Sequence, residues 1–457
     1  VANILYIDSP RQVGFSYQNM TANPDTVWND EKTFADLSLA LTSFFTLYPN
    51  FASNDFYVTG ESYGGVYVPG FTATLVNEIT ANTRQLNLKG LVIGNGEVSM
   101  VQAVRSDPAH LYFHGIFDKS TYDSLKTCCV NDVATSKGYL YCQYEQYINF
   151  TTLLPLDPDD PCGQAVSTMA AFNSPINDYY NFYQDCYLQT TVVFGSAAEK
   201  KSSRSKRSVD IATELKNFDP ISTDATGGFQ CYMNDAGAAY MAQKHVRYAL
   251  HVPDFVQDWN FCNDPINEQY VQQNQDTTPF FDTIYNSGLN LRALIYNGDV
   301  DSACSAKEAE WFIDGFGTTN NMDKSTRNIW RHRTAVAGYE RRYASPNMQI
   351  DLVTIKGAGH FVPTDRPGPA LQMITNFLRQ QPYETPVPFS VKKRPLLAQY
   401  QPKQHLVNPS GPTDAPPGGD TTTTTQATTT AGTDGTGSTS TSGDTTSTQT
   451  TTVNPNN

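Results

Sequence analysis

No stretch of this 457-residue chain approaches ~18 uninterrupted apolar residues, so the sequence predicts no membrane-spanning helix. Basic residues are scarce. Lys and Arg number 31 against 45 Asp and Glu, a net charge of −14 that argues against a nucleic-acid partner. No Cys-x-x-Cys pair is present to combine with histidines, so no zinc set, and no other metal or cofactor, is expected. No signal-peptide pattern follows Val1, and no hydrophobic stretch closes the C-terminus as a GPI signal would. At 39% the apolar fraction falls short of the usual ~45–50%, which implies that part of the chain is not packed.

What the chain does have is aromatic residues, 26 Tyr and 24 Phe, enough for a substantial core. Its opening run Ile4-Leu5-Tyr6-Ile7, closed by Asp8-Ser9-Pro10, reads as a buried strand with no lead-in, so the start of the domain is expected to be missing. At the other end, residues 410–457 are rich in Thr, Ser, Gly and Pro. They cannot offset their conformational entropy by burying apolar surface, and they read as a disordered, mucin-like tail.

Eight cysteines, six of them between Cys128 and Cys231, favour disulfides and hence the secretory route, lysosomal or extracellular. Two sequons, at Asn19 and Asn149, suit N-glycosylation there. The basic run Arg204-Ser205-Lys206-Arg207 has the form of a convertase site, with cleavage expected after Arg207.

Strand-like and helix-like segments alternate. Apolar spacing predicts a helix over 31–48, stopped by Pro49, and another over 64–79. Strands are expected at Phe56–Thr59, Leu91–Gly94, Leu294–Tyr296 and Leu352–Ile355, with a helix over 369–379. That rhythm indicates an α/β fold with a parallel, doubly covered sheet. It breaks over 101–245, which reads as an inserted cap between core segments 1–100 and 246–400.

The strand at Phe56 runs into Gly60-Glu61-Ser62-Tyr63-Gly64-Gly65. Gly-x-Ser-x-Gly between a strand and a helix is a tight turn, with small residues expected on either side of the serine. It lifts the Ser62 hydroxyl above the sheet and makes the Tyr63 N–H one oxyanion donor. A serine hydroxyl needs a base, and in this architecture the partners follow in the order Asp, His. The strand at Leu294 ends in Asn297-Gly298-Asp299-Val300-Asp301, which leaves two competing carboxylates, Asp299 and Asp301. The strand at Leu352 ends in Gly357-Ala358-Gly359-His360. The other histidines read as surface or hydrogen-bonded structural residues.

Taken together these segments resemble the serine carboxypeptidases of the α/β-hydrolase superfamily, in particular their cathepsin A-like members. Asn297–Asp301 through Cys304, Gly357–Pro363, Asp8–Tyr17, Gly94-Asn95-Gly96 and Ala249–Val252 carry the likeness along with the serine turn, over residues 1 to about 380. The resemblance implies an α/β-hydrolase fold, with a mixed, mostly parallel sheet and an inserted helical cap. It implies hydrolysis of the C-terminal peptide bond of peptides that carry a free carboxylate. It favours Asp301 over Asp299 as the acid of a Ser62–His360–Asp301 triad, gives Glu61 the substrate carboxylate through a shared proton, and admits a homodimer. It further implies that Cys262 bridges to an upstream cysteine, that Cys304 is a free thiol, and that the six cap cysteines form three bridges. The chain cut at Arg207 is then expected to become two chains held by disulfide.

Two departures stand out. The family's upstream Asn-Gly-Gly-Pro-Gly-Cys-Ser-Ser segment, source of a second oxyanion N–H, is absent, so the chain as written is expected to have little activity and a longer form to be active. Arg11-Gln12 also stand where the family usually has a Gly. Competing readings are an acyltransferase or esterase using the same triad, and a secreted scaffold without catalysis.

Overall fold

A computed structural model of the chain describes residues 2–129, 142–149, 154–172, 179–183 and 237–388. The expected processing site at Arg207, Cys186, Cys231 and the Thr-rich tail lie outside those residues. Among the described residues no helix is long and apolar enough to cross a membrane.

A helix α1 (Asp30–Leu47) opens the order, with Asn29 accepting the Lys32 N–H as its cap and Pro49 just beyond its end. Then come β1 (Phe56–Ser62), α2 (Gly64–Thr80) and β2 (Leu88–Gly96). Three helices follow, α3 (Met100–Phe113), α4 (Lys119–Thr127) and α5 (Pro161–Phe172). The chain returns to the sheet with β3 (Leu291–Gly298), α6 (Ala306–Thr319), β4 (Asp323–Lys324), β5 (Asn328–His332), β6 (Ala335–Ala344), β7 (Met348–Ile355) and α7 (Pro367–Arg379).

The sheet runs β1-β2-β3-β7-β6-β4, with β5 also paired to β6. β1, β2, β3 and β7 are parallel neighbours, and β6 turns antiparallel to β7. Central parallel strands are covered on both faces, so they read as unbroken apolar runs. Alternate residues then serve opposite cores. Leu91, Ile93, Ala293 and Ile295 pack with Phe34 and Leu41 of α1, Val68 and Leu75 of α2 and Phe312 of α6. Val92, Leu294, Val353 and Ile355 pack on the other face against Met373 and Phe377 of α7.

A smaller core lies under α3, α4 and α5, built on Leu111, Tyr122, Leu125 and Met169, with Tyr112 stacked on Tyr122 at 4.2 Å. Disulfides Cys128–Cys162 and Cys129–Cys142 tie it, two of the expected cap bridges.

The sheet differs from the expected one in two places. Ile4–Ile7 forms no strand: no neighbour among the described residues offers it a ladder, and Ile4 and Tyr6 are 66% and 85% exposed. The β5–β6 hairpin was not expected at all, because Arg331, Glu340, Arg341 and Arg342 interrupt its apolar pattern at the outer, half-solvated part of the sheet. The Asp8–Tyr17 loop clarifies the Arg11-Gln12 departure: Gln12 has φ 69°, where glycine is at ease.

The serine turn depends on close packing of α2 against the end of β2. A Cβ on Gly65 would sit 2.5 Å from the Glu97 backbone nitrogen, and one on Gly60 would meet a Val68 methyl at 2.8 Å. One on Gly64 would find only an ordinary contact at 3.9 Å. The expectation of small residues flanking the serine therefore holds at Gly60 and extends to Gly65, but sterics do not demand it at Gly64. Gly65→Ala should cost about 1–3 kcal/mol by overpacking, with a lowered Tm, while Gly64→Ala leaves the thermal melt where it is. Equal melts for the two variants would contradict this.

Candidate active site

Three neighbouring turns at the C-terminal ends of β1, β3 and β7 carry Ser62, Asp301 and His360, and β2, lying between β1 and β3, carries Asn95. In an open parallel sheet this end is where strands deliver side chains into a common crevice.

Ser62 is the last residue of β1 and has φ 62°, the left-handed region that a serine rarely adopts. The turn holds it there, since the Ser62 carbonyl accepts the Glu97 N–H at 3.0 Å. Tyr63 follows as the N-cap of α2, whose first N–H groups lack intrahelical partners and carry the positive end of the helix dipole. The Tyr63 phenol is fixed from behind. It donates to Asp30 Oδ1 at 2.9 Å, and Asp30, fully buried, also accepts from the Tyr270 hydroxyl and from Gln273 and Asn274.

Asp301 has no exposed surface. Its Oδ2 accepts from His360 Nδ1 at 2.7 Å, from the Asn95 amide at 2.8 Å and from the Cys304 N–H at 3.3 Å, and its Oδ1 accepts the Ala303 N–H at 2.8 Å. Burial pushes its carboxyl up, against the pull of His360 and of those N–H donors. Asn95 is itself held at φ 39°, with its Oδ1 accepting the Gly298 N–H at 3.0 Å. His360 is 1% exposed. With Nδ1–H bound to the carboxylate, the lone pair resides on Nε2, which is buried and has no hydrogen-bond partner among the described residues.

The structure therefore separates the two competing carboxylates. Asp299 accepts the Gly357 N–H at 2.6 Å and helps to join the β3 and β7 turns, while Asp301 meets the imidazole. Glu61 precedes the serine and is half-buried. Its carboxyl is pushed up from an ordinary 4.5 to about 7, mainly by burial; the His360 charge opposes the shift, and Asp301 and Asp365 add to it. The sequence expectation sets Glu61 against the substrate's carboxylate through a shared proton; burial is a cause that the protein itself supplies.

A segment from beyond α5, Tyr179–Tyr183, straps the His360 and Asp301 turns together. Tyr180 O accepts the His360 N–H at 2.7 Å, Val300 O accepts the Phe182 N–H at 3.1 Å, and Tyr179 O accepts from the Ser302 N–H and hydroxyl. The Tyr180 ring lies 4.7 Å from that of His360. Asp365 caps the other side, accepting from Gly359 N–H and from the Asn181 amide. None of these roles is marked by a local motif; only Asn95 had a signal, between two glycines.

Cys304 is unbridged and buried, and burial together with Glu308 and Asp301 pushes its thiol up, so it stays protonated. Cys262 is exposed and has no disulfide partner among the described residues. Among the described residues no cluster is arranged to hold a metal. Asn19 and Asn149 are both exposed.

Known proteins give this geometry its context. The serine carboxypeptidase family model matches residues 1–380. A Caenorhabditis elegans protein, serine carboxypeptidase ctsa-3.2, is 32% identical over 412 residues, spanning 84% of this chain and 78% of its own. The mouse lysosomal protective protein is 30% identical over 405 residues, covering 84% and 76%. A prohormone-processing carboxypeptidase from Saccharomyces cerevisiae superposes with a TM-score of 0.54 at 17% identity, covering 82% of this chain and 73% of that one, which supports the fold. The chain belongs to the serine carboxypeptidase family, hydrolases of the exopeptidase type.

Proposed function

We propose that Ser62, His360 and Asp301 are the triad with which this chain removes single residues from the C-termini of peptides. The carrying observation is the buried Asp301–His360 hydrogen bond that leaves Nε2 as a partnerless proton acceptor at the strand ends where Ser62 stands. Ser62 Oγ attacks the scissile carbonyl, and its proton passes to His360 Nε2. The Tyr63 N–H receives the developing oxyanion at the α2 N-terminus. His360 returns the proton to the leaving amine, which departs and leaves an acyl group on Ser62. Water, deprotonated by the same nitrogen, then releases the acyl group. Asp301 remains ionised throughout, orienting the ring and stabilising its charged form.

Glu61 supplies the exopeptidase character. A carboxyl that keeps its proton up to about pH 7 can donate a hydrogen bond to the substrate's terminal carboxylate, where an ionised one would repel it. Such a site works best in acid. Two disulfides, two exposed sequon asparagines and kinship with a lysosomal protective protein support passage through the secretory route, with a lysosome as the acidic destination. The helices over 101–245 act in this reading as a cap whose Tyr179–Tyr183 strap roofs the site.

Hydrolysis of a blocked dipeptide with a free C-terminus, and much slower hydrolysis of the same dipeptide as its amide, tests the reading in the natural full-length protein; equal rates would overturn it. Asp301→Asn should lower kcat by about 10⁴-fold, since the wrong histidine tautomer is then held. The pH response follows from Glu61. As pH rises through about 7 the group ionises and KM for free-carboxylate substrates rises, and Glu61→Gln removes that rise. Stability carries the same signature. Between 4.5 and about 7 the folded chain holds more proton at Glu61 than the unfolded chain, so stability falls across that window as pH rises, and Glu61→Gln flattens the fall. A pH-independent KM in the unaltered enzyme would contradict the role.

A further inference from the structure

Behind the Asp301–His360 pair stands a second histidine that the mechanism does not use. His110 lies on α3, 3% exposed, between the small core under the cap and the β3 turn. Its Nε2 is 2.8 Å from the backbone carbonyl of Asp301. A carbonyl only accepts, so Nε2 carries the hydrogen. Burial drives the ring's pKa down to about 3, with the neighbouring His114 adding to the effect, so the imidazole stays neutral and its tautomer is set by this one contact. The ring is wedged in place. His114 lies 4.5 Å from it and Phe182 of the strap 5.3 Å, and His114 Nδ1–H donates to the His110 carbonyl at 2.8 Å.

The other half of the same peptide unit is held as well. Ser302 N–H, bonded through the Asp301–Ser302 peptide, donates to Tyr179 O at 3.0 Å. Both polar atoms of the peptide leaving Asp301 are thus fixed from outside the turn, the carbonyl by α3 and the N–H by the strap. A peptide pinned at both atoms cannot rotate, and rotation there would swing the Asp301 carboxylate away from His360 Nδ1.

We propose that His110 is a positioning residue for the reaction: its Nε2–H clamps the Asp301 carbonyl and so aims the carboxylate at His360. The proposal rests on reading Asp301 as the triad acid. An apolar side chain would fill the space, but it would leave the buried carbonyl unpaired and the peptide held at its N–H alone.

His110→Phe keeps the ring and its stacking and removes the donor, while His110→Gln places an amide N–H near the position of Nε2. On a blocked dipeptide, in the natural full-length protein, His110→Phe should lower kcat by roughly 10- to 100-fold with KM unchanged, and His110→Gln should recover most of the loss. If His110→Phe yields no folded protein, His110→Asn, whose amide is one carbon too short to reach the carbonyl, takes its place with the same expected loss. An unchanged kcat, a loss confined to KM or to thermal stability, or a His110→Gln enzyme no faster than the donor-free variant would overturn the proposal. Asp301→Asn measured alongside separates the two readings. If it retains its rate, the triad assignment fails; if it loses its rate while His110→Phe keeps its own, only the role of His110 fails.

Discussion

One fully buried carboxylate organises this end of the molecule. Asp301 has no contact with water, and an uncompensated buried charge would cost about 3–5 kcal/mol if a single partner were lost. Every element near it answers that demand. The turn after β7 supplies His360, β2 supplies Asn95, the turn after β3 supplies the Ala303 and Cys304 N–H groups, and α3 supplies His110 to the carbonyl of the same residue. The strand order β1-β2-β3-β7 is what makes these contributions possible, because it places four loop ends side by side.

The same loss of water extends beyond Asp301 and His360. Glu97, Asp107 and Glu308 have carboxyls raised above their ordinary range, each mainly by burial, and the Cys304 thiol is raised for the same reason. Glu308 is more than a buried acid. It reaches from α6 to accept the Val98 and Ser99 N–H groups just past β2, and so ties the helix to the strand that carries Asn95. In such a medium a hydrogen bond aimed at a charge is worth more than in water, and an unpaired group is correspondingly expensive. The raised carboxyl of Glu61 belongs to this environment: the burial that strengthens the Asp301–His360 contact also pushes a nearby carboxyl up.

Much of this was legible in the residues. Ser62, Asp301 and His360 stand at strand ends behind glycine-rich turns, and such turns leave a local mark because close backbone approach excludes side chains, as at Gly60 and Gly65. The central strands were legible as apolar runs because both their faces are covered, although they begin three or four residues earlier than the runs alone suggest. Other parts were not. Pairing is a property of two strands, so Ile4–Ile7 looks like a strand in isolation and makes no ladder here. The β5–β6 hairpin faces solvent in part and carries charge where a run was sought. His110 and Tyr180 meet the turns of the site across long sequence separations, through a carbonyl or a single N–H, and such contacts impose no spacing rule on the chain. The resemblance favoured Asp301 over Asp299, but which carboxylate reaches the imidazole is a contact between two turns that neither turn shows alone.

The central claim is that the Asp301–His360 pair activates Ser62 and no other nucleophile. It is tested most directly by treating the natural full-length protein with a fluorophosphonate and locating the adduct by peptide mass spectrometry. The account predicts a single phosphonylated residue, Ser62, with labelling that disappears in His360→Ala. An adduct on a different residue, or undiminished labelling of Ser62 without His360, would contradict it.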